Sequence, residues 1–114
     1  HHEILRLLKR FPKIRVYLHH FQGTKEACAQ YFRYDVYFGL SILHWSKRSN
    51  ELLSIVPQDK ILFETDAGID FHSVQHLFEQ HFIPSTLIKH SYDNLFLFLQ
   101  GTSDGFTQQF QNSM

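Results

Sequence analysis

Two acids close an apolar run at Lys60-Ile61-Leu62-Phe63-Glu64-Thr65-Asp66-Ala67. The run alternates as a strand does: Ile61, Phe63 and Thr65 share one face, and Leu62, Glu64 and Asp66 share the other. A buried, unpaired charge is strongly unfavourable, so Glu64 and Asp66 require partners, a metal ion or water. Far upstream a histidine holds a matching position. His19 ends a run in which Ile14, Val16 and Leu18 alternate with Arg15, Tyr17 and His19. Imidazole and carboxylate are the side chains from which metal sites and proton-transfer sites are built.

The elements that must position these groups follow in chain order. Residues 1–11 read as a helix with an Ile4, Leu7, Leu8 stripe, stopped by Pro12. Residues 14–19 are the first strand. Gly23-Thr24 turns the chain, and Thr24 caps a helix expected to reach Arg33. Residues 36–40 form the second strand, with Gly39 marking a close approach. A helix over 46–56 ends at Pro57, and 61–65 is the third strand. Helices are expected over 71–82 and from Pro84 or Ser85 to about Leu99, and the segment from Gly101 onward reads as a frayed polar tail.

The strands start at 14, 36 and 61, so they lie 22 and 25 residues apart. Each gap holds one helix, which makes the strands parallel with right-handed crossovers. That order fits a doubly wound sheet or part of a (β/α)8 barrel. In both, ligands sit beyond the carboxyl ends of the strands, where His19 and Asp66 fall. Parity favours the barrel. Arg15, Tyr17 and His19 share a face, as do Glu64 and Asp66, and a barrel interior accepts polar groups near its rim. A doubly wound sheet is covered by helices on both faces.

Composition excludes several classes. The 114 residues make one domain or part of a larger one. Eleven basic and eleven acidic residues cancel, which argues against a strongly charged nucleic-acid coat but not against a local phosphate site. The lone cysteine, Cys28, excludes an internal disulfide framework and suits a reducing, cytoplasmic setting; it reads as a small buried hydrophobe. No apolar run is long enough to cross a bilayer.

The run Leu18-His19-His20-Phe21-Gln22-Gly23-Thr24 resembles the H-x-F-x-G-[ST] that follows the sixth strand in the TatD family of metal-dependent deoxyribonucleases. Val56-Pro57-Gln58-Asp59-Lys60-Ile61-Leu62-Phe63-Glu64-Thr65-Asp66-Ala67 is similar to that family's eighth-strand motif, I-P-x-D-[RK]-[IL]-L-x-E-T-D-[AG]. Val36-Tyr37-Phe38-Gly39 looks like its seventh strand, and Asn94-Leu95-Phe96 loosely resembles its closing helix.

The resemblance covers about residues 1–99 and implies an α/β fold: strands six to eight of a (β/α)8 TIM barrel of the amidohydrolase superfamily, with 100–114 as the tail. It makes His19 a metal ligand. It makes Asp66 both a metal ligand and the catalytic group that orients or deprotonates the attacking water, with Glu64 and His20 supporting them. It implies divalent metal ions (Mg, Mn or Zn), two in the complete enzyme, and DNA or another phosphodiester as substrate. The family's other ligands, an H-x-H, a glutamate and a further histidine, would lie upstream of His1, so the missing N-terminal half of the barrel is an implied partner. Three barrel strands alone expose two raw edges, and the piece is then expected to fold poorly by itself. After Ala67 the family continues with proline and a longer basic loop, whereas Gly68-Ile69-Asp70 leads at once into Phe71-His72. That departure admits a small-molecule amidohydrolase-type reading. The absent ligands admit a non-catalytic interaction module.

Simpler roles stand beside these. Asp66 reads also as a helix-cap acid, His19 as a structural histidine, and Glu64 as a buried acid paired with Arg15 or Lys60. His72 and His76 have the spacing of a helical metal pair but no third ligand nearby. The aromatic run Tyr31, Phe32, Tyr34, Tyr37 and Phe38 suggests base stacking, yet its alternation across a helix end and a strand suits core packing better.

Overall fold

A computed structural model describes residues 2–64, 71–84, 86–104 and 107–111. Asp66, with Thr65 and residues 67–70, lies outside the described residues, as do Ser85 and the side chains of His72 and Phe96. The elements in order are α1 (His2–Arg10), β1 (Arg15–His19), α2 (Lys25–Ala29), β2 (Val36–Ser41), α3 (Lys47–Ile55), a 3-10 turn (Gln58–Lys60), β3 (Ile61–Glu64), α4 (Phe71–Gln80), α5 (Thr86–Asp104) and β4 (Thr107–Gln111).

Local chemistry sets most of these boundaries. The Thr24 hydroxyl accepts from the Ala27 amide and starts α2. Ser46 and Ser49 close a capping box at the start of α3. α2 is shorter than the sequence suggests. It ends at Ala29, and Tyr31, Phe32 and Tyr34 continue in tight turns, donating to the carbonyls of Cys28, Ala29 and Tyr31. Aromatic residues are poor helix formers, and this tightening delivers Tyr31 into the core against Phe21 and Phe38. Cys28 is buried beside it, and burial pushes its thiol up to about 12.

The strands form one parallel sheet in the order β3-β2-β1-β4. β1, β2 and β3 neighbour one another in chain order, as an arc of a barrel requires. Val16, Leu18, Val36, Phe38, Leu40 and Ile61 project from one face into the main core, together with Leu8, Cys28, Tyr31 and Leu52 from α1 to α3. The opposite face carries Tyr17, Tyr37 and Leu62, covered by Phe98 from α5. The Phe98 ring centroid lies 5.8 Å from Tyr17 and 5.4 Å from Tyr37.

The outer sides of β3 and β1 both find partners. On the outer side of β3, the Phe63 amide donates to the Ser91 hydroxyl (2.9 Å), and the Ile61 carbonyl accepts from the Asn94 side-chain amide (2.8 Å). Asn94 is only 4 % exposed and donates also to the Gln58 carbonyl at 2.7 Å. On the outer side of β1, β4 pairs in register from Arg15↔Thr107 to His19↔Gln111. The frayed tail expected after Leu99 thus contains the end of α5 and a strand. A glutamine-rich segment lacks an apolar pattern, but its backbone can satisfy an open edge.

At the amino end of the strands, Asp35 ties three elements together. It accepts from Arg15 Nε and from Lys60 Nζ, both at 2.7 Å. Both cations also lie over the Tyr37 ring, Lys60 Nζ at 4.4 Å from its centroid. Burial raises the carboxyl, but the hydrogen bonds and charges of Lys60 and Arg15 outweigh it and hold Asp35 below its usual range. Arg15 and Lys60 therefore pair with Asp35, and the expected pairing of Glu64 with either one is corrected.

Asn94→Ala takes one donor from the Gln58 carbonyl of the 3-10 turn and one from the Ile61 carbonyl of β3. A stability loss of about 2 kcal/mol is expected in chemical denaturation, with the secondary structure retained. Because the folded Asp35 value is depressed, its contribution is present at neutral pH. It is lost as pH falls from the ordinary aspartate range, about 4, through the lower folded value. Asp35→Asn is expected to cost about 2 kcal/mol at pH 7 and to flatten the decline in melting temperature below pH 4.

Candidate active site

The carboxyl ends of β1, β2 and β3 bring His19, Gly39 and Glu64 to one end of the sheet. Glu64 projects from β3 on the face that carries Leu62 and Tyr17, the parity expected from the sequence. Its carboxylate crosses β2 and reaches β1. One oxygen accepts the Tyr17 phenol O–H. Both oxygens share the His20 amide, at 3.0 and 3.1 Å. His19 Nε2 stands 3.5 Å from Glu64 Oε1. Glu64 is well sheltered, its side chain 13 % exposed, whereas the His19 side chain is 40 % exposed. The arrangement gives a shielded acid and an open imidazole on its rim.

Gly39 makes the crossing possible. A Cβ at this position would lie 2.6 Å from both Glu64 Cδ and Tyr17 Oη. Only a residue without a side chain leaves the corridor that the carboxylate occupies. The close approach expected at Gly39 is therefore present, and its partner is Glu64.

Tyr17 is the donor that sequence reasoning missed. Burial first, and then its hydrogen bond to Glu64 and that group's negative charge, raise its phenol far above the ordinary tyrosine value. The phenol stays protonated and donates. The available signal was its parity, which places it two residues before His19 on the Glu64 face.

His20 supports the site through its backbone rather than its ring. It adopts a left-handed conformation, φ 52°, which costs a non-glycine residue about 1 kcal/mol or more. The turn aims the His20 amide at Glu64 and the Phe21 amide at the Gly39 carbonyl (2.7 Å). The His20 ring faces away, bonding the Gln22 amide nitrogen at 2.8 Å and lying 5.4 Å from the His44 ring.

Among the described residues, no three His, Cys, Asp or Glu side chains come close enough to share a metal ion. His19 and Glu64 supply one imidazole and one carboxylate, a donor set that suits a divalent cation. Asp66, expected as ligand and catalytic acid, lies outside the described residues. His76 is exposed on α4, and the His72 side chain is not described. The aromatic run divides: Tyr31, Tyr37 and Phe38 are buried, and Phe32 is exposed.

A family model described as "TatD related DNase" matches residues 1–92, most of the chain and all of β1, β2 and β3.

Gly39→Ala forces the Glu64 carboxylate and the Tyr17 phenol out of their places. A destabilisation of about 2 kcal/mol is expected, with overpacking and the lost buried hydrogen bond contributing together. Tyrosine absorbance would then show the Tyr17 phenol titrating at lower pH than in the unaltered chain. A melting curve and a phenol titration identical to those of the unaltered chain would contradict the crossing.

Proposed function

Because the chain belongs to the TatD-related DNase family, we propose that it contributes the carboxyl-terminal portion of a metal-dependent DNase, strands six to eight of the amidohydrolase-type barrel. One observation carries the reading. His19 and Glu64 come from β1 and β3, and meet across Gly39 at the strand ends. The family match, which describes hydrolases of this general kind, supports the same assignment. His19 and Asp66 would hold a divalent ion, Mg, Mn or Zn, of the two in the complete site.

A bound divalent ion acidifies a coordinated water and neutralises phosphodiester charge. The chain's own residues do the rest. His19, whose Nε2 stands 3.5 Å from Glu64 Oε1, would offer a ring nitrogen to the ion. Glu64, held by Tyr17 and His20, fixes the imidazole's direction and the end of β3. Asp66 follows Glu64 by two residues in the sequence, the spacing of one strand face, and its carboxylate would accept the water's proton. The remaining ligands come from the amino-terminal strands of the barrel, in a preceding segment or a second chain. The covered edges of the sheet favour a second reading, a self-standing interaction module without metal chemistry.

Titration of the chain with manganese, magnesium and zinc, followed by elemental analysis, separates the two. The DNase reading expects stoichiometric binding that disappears in His19→Ala and Asp66→Asn. It expects a loss of about 10- to 100-fold in affinity in Glu64→Gln, the usual effect of removing a group that orients a ligand. In the completed enzyme Asp66→Asn abolishes turnover on DNA. A monodisperse chain by light scattering whose metal binding ignores all three substitutions would overturn the assignment in favour of the module.

A further inference from the structure

Beside His19, on the far side of His20, a cavity of about 380 Å³ opens between the loop after β1 and the loop after β2. Its walls carry His20 and Gln22 from the first loop, Ser41 and His44 from the second, and Lys47 and Arg48 from the first turn of α3. Among the described residues no carboxylate lines it, although the whole chain carries as many acids as bases. We infer that this cavity binds a phosphate group of the nucleic-acid strand, next to the one at the metal centre. The inference rests on the DNase reading for its substrate and names a subsite within it.

The polar groups of the cavity are tied to one another, and several keep further donors. The Gln22 amide nitrogen lies 2.8 Å from His20 Nε2. Ser41 Oγ engages His44 Nδ1 at 3.1 Å, which leaves the Nε2 edge of this exposed imidazole for a ligand. Arg48 uses one nitrogen, Nη1, on the Gln22 carbonyl (3.1 Å), and the fork keeps other donors. Neither Lys47 nor Arg48 forms an ion pair among the described residues.

The placement of these cations runs against local preference. A helix start favours acids, yet α3 has none in its first turn and opens with Lys47 and Arg48. A sequence that breaks a local rule beside a cavity at the strand ends has a ligand as its simplest compensation. The scale also fits. The cavity falls in the usual range for ligand sites, about 300–1,000 Å³. The rings of His19 and His20 are 6.5 Å apart, so the metal centre and the cavity are neighbours.

The test has two arms. In the first, the chain is titrated with inorganic phosphate in EDTA and followed by amide NMR. Saturable shifts are expected at Gln22, Ser41, His44 and Arg48. Affinity falls about tenfold or more in Lys47→Gln/Arg48→Gln and is unchanged in His19→Ala. Arg48→Lys, which keeps the charge but not the fork geometry, retains a measurable part of it. In the second arm, a single-stranded oligonucleotide replaces phosphate. The salt dependence of binding is expected to weaken by about 0.7 in log–log slope for each lost contact. Shifts elsewhere on the surface, equal affinity in the double variant, or an Arg48→Lys loss as large as that of Arg48→Gln would each overturn the inference. The EDTA arm contains no metal, so failure of the metal assignment would leave its result standing. Loss of phosphate binding with intact metal binding would sink this subsite alone.

Discussion

The Glu64 carboxylate, lying across a strand that carries no side chain at that point, is the interaction on which the strand ends depend. β3 and β1 are not neighbours in the sheet; β2 separates them. Beyond the ladders through β2, one side chain spans the gap and ties their terminal loops directly. Glu64 reaches the Tyr17 phenol and the His20 amide, and the route passes over Gly39. Buried carboxylate oxygens need donors, and a left-handed His20 needs a reason to stay so. Each requirement answers the other. His19 lies between two residues that Glu64 holds, so its direction follows from theirs.

The two ends of the same strands carry opposite duties. At the amino end Asp35 collects two cations that bound Tyr37, and all its partners come from within the chain. At the carboxyl end His19 is partly open, and the cations of α3 lack carboxylate partners among the described residues. Between them Tyr17, Tyr37, Leu62 and Phe98 fill the middle of the face. Satisfied charge at one end and available donors at the other, with an apolar layer between, keep the stabilising network from competing with the reactive end. Parallel barrels in general divide stability and chemistry in this way.

How much of this the sequence disclosed depended on the distance over which each fact is encoded. The alternation of Val16 and Leu18 against Tyr17 and His19 is local, and the faces are as that alternation predicts. The caps at Thr24 and Ser46 are local too. Gly39 was legible as a close approach, but not what approaches it, because that needs the register Ser41↔Glu64 between two strands. Asp35 was invisible as the partner of Arg15 and Lys60 for the same reason: three separate segments must first align. His44 and Arg48 carried a usable signal, since polar residues just after a strand's carboxyl end sit on the ligand side of such folds. Asp66 remains known from its motif and its parity with Glu64 alone.

The sheet edges change the physical standing of the chain. A three-strand arc would present two rows of unpaired amides and carbonyls, and association would relieve them. Here Ser91 and Asn94 answer the groups of β3 that face outward, and β4 pairs with β1 along its length. Phe98 meanwhile covers the ring layer that would face a barrel's interior. The chain therefore meets with its own residues part of what a complete barrel would meet with its other strands. Any strand that joins β1 from outside must first displace β4. Closure of a larger barrel on that side exchanges one parallel ladder for another, at little net gain in hydrogen bonding. The advantage of closure would then have to come from apolar burial and from ligands brought to the site.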